Sequence, residues 1–163
     1  MFRAIKLYFT DRQYYRQWKR HMKRQKAFRK ELKKQAKEFC PWSGWYMHKM
    51  IKTMLEFYHK TYRAQDCCWS EESRLDKIAD QLEEAIHWSE ALDQLDDLKD
   101  TELIDIAQKD KAFEKYVVSK GLSMEEAKNP TALLAGLAEE YLNNKYTKAM
   151  YKVIGEHIWD WCD

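Results

Sequence analysis

The chain has 163 residues, 45% of them hydrophobic and 34% charged, with only 4 glycines and 2 prolines. That length predicts one compact domain over 1–163, and so few backbone breakers exclude an all-β barrel or sandwich, which needs Gly- or Pro-rich turns between its strands. Aromatic residues at 14%, including 7 tryptophans, exclude a disordered chain and leave an all-α fold, a helical bundle, as the expected class.

The net charge of +2 conceals an asymmetry. Residues 1–66 hold 18 Lys and Arg against 5 Asp and Glu, a charge of +13, while 67–163 hold 11 against 22, a charge of −11. A basic arm of this kind seeks an acidic partner: nucleic acid, a phosphate-bearing ligand, a membrane surface or the acidic half of the same chain.

The N-terminus, MFRAIKLYFTDRQ, is broken by Arg3 and Lys6 and lacks the apolar core of a secretory signal. Its Phe2, Ile5, Tyr8 and Phe9 suit either a membrane surface or the bundle itself. No run approaches the ~18 consecutive apolar residues of a membrane span, so integral membrane association is not expected. From Asp11 to Phe39 there is neither Gly nor Pro, which predicts a long basic N-terminal helix over 11–39, ended by Cys40-Pro41. Along it Arg16, Lys19, Lys23, Lys26, Lys30, Lys33 and Lys37 alternate in steps of three and four and share one face.

Met47, Met50, Ile51, Met54, Leu55, Tyr58 and Tyr62 predict a second helix from Trp45 to Arg63. After a turn near Gln65–Trp69, Ser70 is an N-cap candidate for a third helix, with Glu71 and Glu72 at its positive end. Leu75, Ile78, Ala79, Leu82, Ala85, Ile86, Ser89, Leu92 and Leu95 make its apolar stripe, and Asp76, Asp80, Glu83, Glu90 and Asp97 an acidic one. Two such helices joined by a short turn predict an antiparallel hairpin over 45–98 on which the bundle is built. The segment 101–163 supplies the C-terminal helices. One runs from Thr101 to Lys120 with Gly121 as its C-cap; Ser123-Met124-Glu125-Glu126 has capping-box spacing; a last helix runs from Thr131 to about Trp161.

The ending Tyr151–Asp163, YKVIGEHIWDWCD, resembles that of a family of small helical proteins encoded by tailed bacteriophages, which finish in an aromatic helix with a terminal Asp. The Met- and aromatic-rich helix, polar turn and Leu/Ile helix of Trp45–Leu95 resemble the same family, so the likeness covers about half the chain. Cys162 stands where the family pattern has tryptophan. The resemblance implies a phage accessory protein of the bacterial host cytoplasm and brings no catalytic residue with it. Cys40, Cys67, Cys68 and Cys162 are too few and too irregular for a disulfide framework and read as reduced thiols, which agrees with that location.

Several chemistries compete for the charged residues. The pairs Glu56/His59 and Glu84/His87 have the Glu-x-x-His spacing of di-iron helical bundles, and equally that of ordinary surface residues. Glu83, Glu84, Glu90 and Asp93 are similar to the Mg²⁺-holding carboxylates of all-α nucleoside triphosphate pyrophosphatases, or form a solvated face. No Walker loop, dinucleotide fingerprint or Gly-x-Ser-x-Gly elbow is present. The expected function is therefore non-enzymatic and without a cofactor: capture of a phosphorylated nucleotide to counter host defence. Arg16, Lys19 and Lys23 would hold the phosphate, and Tyr15, Trp18, Trp42 or Trp45 would stack on the base. The alternatives are inhibition of a host defence protein through exposed Trp159 and Trp161, binding of nucleic acid, and pairing of basic and acidic stripes in a homo-oligomer.

Overall fold

The structure, a computed structural model, describes residues 12–38, 44–64, 72–123 and 125–162. Its elements among these are α1 (Arg12–Glu38), α2 (Gly44–Arg63), α3 (Glu72–Leu95), α4 (Asp100–Gln108), α5 (Lys111–Ser119), a 3₁₀ turn (Glu126–Lys128) and α6 (Ala132–Cys162). The fold is all-helical, with no strand among the described residues. No described helix is long and apolar enough to cross a membrane. The chain divides into two compact units, one made of residues 1–86 with 156–163 and the other of residues 87–155.

In the first unit, α1 turns one face inward. Tyr14, Trp18, His21, Gln25, Phe28 and Leu32 are half-buried and Gln35 is buried; their steps of four and three keep them on a single seam. Phe28 stacks on Phe57 of α2, with ring centres 4.2 Å apart and planes 12° from parallel. Gln35 Nε2 donates to Thr53 Oγ1 at 2.7 Å, and that hydroxyl donates to the Lys49 carbonyl at 3.0 Å. The later residue of α1 meets the earlier residue of α2, so the two helices run antiparallel. Leu55, Tyr62, Leu75, Ile78, Ala79, Leu82 and Ala85 form the buried apolar set of this unit.

Trp161, near the end of α6, joins that set. Expected to be exposed, it is only 7% accessible. Its indole Nε1 donates to Gln81 Oε1 at 3.3 Å, and its carbonyl accepts the Tyr62 hydroxyl. The last carbonyls of a helix have no partner within the helix, so Tyr62 closes the α6 terminus from outside and draws the final turn into the core. Trp159, two residues earlier and on another face, is 80% exposed.

The second unit has its own core of Leu95, Leu103, Ile104, Ala107, Phe113, Val117, Ala127, Leu134, Ala135, Ala138 and Leu142. The helix expected over 101–120 is two helices here. Asp110 interrupts it: its carboxylate accepts the Ala112 N–H at 3.0 Å as the N-cap of α5, and also binds Lys145 Nζ at 2.6 Å and the Tyr141 hydroxyl at 2.7 Å. Gly121, with φ +97°, reverses the chain after α5 in a conformation that side chains disfavour. Ser123 and Glu126 then form a reciprocal capping box, the Ser123 N–H donating to Glu126 at 2.8 Å and the Glu126 N–H to Ser123 Oγ at 3.2 Å. Thr131 Oγ1 caps α6 by accepting the Leu134 N–H at 3.1 Å.

Candidate anion-binding face

The face of α1 opposite the seam is cationic from end to end. Between Arg12 and Glu38 the helix carries 12 Lys and Arg and 2 Glu. Arg16, Lys19, Lys23, Lys26, Lys30, Lys33 and Lys37 are all exposed. Their steps of three and four hold them in a row offset by two residues from the seam residues Tyr14, His21, Phe28 and Gln35, so packing on α2 turns the row to solvent. At 1.5 Å per residue the row from Arg16 to Lys37 extends roughly 32 Å, with one cation about every 5 Å. Among the described residues none of these seven cations has an ion-pair partner. Arg12, Arg29 and Lys34, which the seven-residue spacing leaves out, are exposed beside the row.

The aromatic residues expected to stack on a base divide two ways. Tyr15 and Trp18 are half-buried next to Arg16 and Lys19, their rings 6.0 Å apart and tilted by 31°. Trp42 and the side chain of Trp45 lie outside the described residues. Of the two C-terminal anchors expected for a protein partner, Trp159 is free to serve, whereas Trp161 is withdrawn by its bonds to Gln81 and Tyr62.

Comparisons with protein-family models, with curated proteins and with solved structures each found no match to the chain.

The acidic stripe of α3 has a near neighbour that the sequence pattern did not single out. Arg63, at the end of α2, reaches Asp80 at 2.5 Å, Glu83 at 2.9 Å and Asp76 at 3.8 Å. Hydrogen bonds to Glu83 first and Asp80 second raise the guanidinium pKa above its ordinary value. His59 Nε2 stands 3.7 Å from Glu83. Asp76, Asp80 and Glu83 recur at steps of four and three on one helix face, and that spacing was the available signal that a single fork-shaped donor could span them.

The candidate metal ligands are dispersed. Glu56 pairs with Lys60 at 3.3 Å, Glu83 is engaged by Arg63, and His87 meets the edge of Trp88 with ring centres 5.2 Å apart. Glu84 and Glu90 are exposed, as is Asp93. Among the described residues no three His, Cys, Asp or Glu side chains converge where they could hold a metal ion.

Proposed function

We propose that this protein binds nucleic acid through the phosphate backbone, using the cationic face of α1. One observation carries the reading: seven exposed cations, without ion-pair partners among the described residues, stand in a single row about 32 Å long. A row of that length exceeds what one nucleotide can occupy, while a phosphodiester backbone offers a charge at every step along it. Like charges so close together repel, and a polyanion removes that repulsion while releasing its own counterions. The resemblance of Tyr151–Asp163 to phage proteins supports a phage accessory role in the host cytoplasm, where such binding would interfere with a host defence. The reading keeps 45–98 as an antiparallel hairpin, with the Arg63 bridges to Asp76, Asp80 and Glu83 as its support.

The test is the double variant Lys19→Glu with Lys23→Glu, assayed by fluorescence anisotropy on a labelled oligonucleotide at low salt. Reversing two charges near one end should weaken binding at least tenfold and leave the circular dichroism spectrum unchanged. Unaltered affinity in a folded variant would remove α1 from the role.

A second reading, capture of a single phosphorylated nucleotide, draws on the contact between Tyr15 and Trp18 beside Arg16 and Lys19. Native mass spectrometry of the purified protein discriminates, because a retained nucleotide adds a discrete mass. The same spectrum reports the oligomeric state.

A further inference from the structure

We infer that the nucleic acid recognised by α1 is a double helix, held through its phosphates without reading of base edges. This rests on the nucleic-acid reading above and adds what the exposed surface of α1 contains besides charge. Apart from cations and Glu31, the exposed residues with described side chains on this helix are Met22, Ala27 and Ala36.

Single strands are held by stacking their bases on free aromatic faces. The aromatic rings of α1 are Tyr14, Tyr15, Trp18 and Phe28, and none is exposed. Phe28 is stacked on Phe57, while Tyr15 and Trp18 are half-buried and lie against one another. Among the described residues of α1, a single strand laid along the row would find charge and no exposed ring to stack on.

Base edges are read in the major groove by Arg or Lys on guanine, by Asn or Gln on adenine, and by Ser or Thr on either. Among the described side chains the amides of α1 face inward: Gln17 is half-buried, Gln25 is within 2.9 Å of the His21 ring nitrogen, and Gln35 donates to Thr53. The row itself is one arginine followed by six lysines, and lysine meets phosphate as a point charge without a preferred plane. Cations spaced along one helix face, with no exposed neutral hydrogen-bonding side chain among them, suit the closely set phosphates of a duplex. At about 3.4 Å of duplex axis per base pair, a 32 Å row covers roughly nine base pairs.

The experiment titrates the full chain into four labelled probes at 50 mM and 200 mM salt: an A·T-rich 20-base-pair DNA duplex, a G·C-rich one, an RNA duplex, and a 20-nucleotide poly-dT strand. The two DNA duplexes should bind within about threefold of each other, since one good base-reading pair would alone separate sequences by roughly 5- to 150-fold. The strand should bind at least tenfold more weakly than the DNA duplexes and the RNA duplex alike, since all three present paired phosphate backbones. With six or seven phosphates neutralised, duplex affinity should fall about 10³- to 10⁴-fold between the two salt concentrations. Arg16→Lys should leave every affinity within threefold, because the charge is kept. A strand that binds as tightly as the duplexes, or a tenfold preference between the DNA sequences, overturns the inference and leaves nucleic-acid binding standing. No binding to any probe at 50 mM salt overturns both.

Discussion

Removing the hydroxyl that closes the α6 terminus tests how the first unit is held together. Tyr62 is buried, and its hydroxyl donates to the Trp161 carbonyl across 99 residues of sequence. In Tyr62→Phe the ring and its packing remain, so the loss includes the hydrogen bond to Trp161 and the desolvation of an acceptor in the last turn of a helix, where the helix itself supplies no backbone donor. Leaving a buried acceptor unsatisfied costs about 1–3 kcal/mol. With a urea slope of roughly 2 kcal/mol per molar, a loss near 2 kcal/mol lowers the unfolding midpoint by about 1 M, and the melting temperature falls by roughly 4–8 °C for a chain of this size. The assay is urea and thermal unfolding followed by far-ultraviolet circular dichroism, with Tyr58→Phe as the exposed control, expected within about 0.5 kcal/mol of the parent. An unchanged slope in urea is required for the comparison. If the two variants unfold together, Tyr62 does not hold the terminus and the burial of Trp161 must be explained by packing alone.

Two further outcomes follow from the second unit. The Asp110 carboxyl is held well below the usual carboxylate range, first by the Lys145 ammonium, then by the Ala112 N–H and the Tyr141 hydroxyl. A carboxyl pKa depressed by folding stabilises the native state at pH values above its unfolded pKa, near 4, and that contribution is lost as the pH falls through the lower native value; Asp110→Asn should therefore be less stable than the parent at pH 7, with urea midpoints that converge on the parent's as the pH falls below 4. Parallel curves would show that Asp110 acts only as a hydrogen-bond acceptor. At Gly121 the positive φ of +97°, with no atom near enough to obstruct a Cβ, makes Gly121→Ala a measure of backbone strain alone; the expected loss is about 1–2 kcal/mol, and a neutral substitution in urea unfolding would mean that the turn relaxes to another conformation.

Local signals carried much of the helical content. Arg12–Glu38, free of Gly and Pro, is helical throughout, and the stripe from Leu75 to Leu95 contains Ser89, which is fully buried in its apolar company. These are readable because helix periodicity and capping act over three or four residues. The break between α4 and α5 was missed for the opposite reason: Asp110 is fixed by Tyr141 and Lys145, 31 and 35 residues away, and nothing near Lys109 announces them. Trp161 misled in the same way, since a tryptophan in a short aromatic ending looks like an anchor until Gln81 and Tyr62 are brought to it. At the candidate site the sequence spacing located the cationic row, whereas its freedom from ion pairs among the described residues is a property of packing. The acidic stripe was matched to that row on spacing, yet three of its members are taken by Arg63, one cation placed where its fork spans them.

The discontinuity of the first unit constrains the order in which the protein can be made. Residues 87–155 are consecutive, so that unit has its whole core in hand as soon as its last residue leaves the ribosome. The other unit begins earlier and finishes later: α1, α2 and most of α3 are synthesised before the turn that brings Trp161 to Tyr62 and Gln81 exists. Until then the Tyr62 hydroxyl and the Gln81 amide lack their Trp161 partner, over an interval of nearly half the chain's synthesis, about 4–15 s at common rates. The unit that starts first is thereby the last to close, and its half-built core is the surface that a chaperone would have most time to meet.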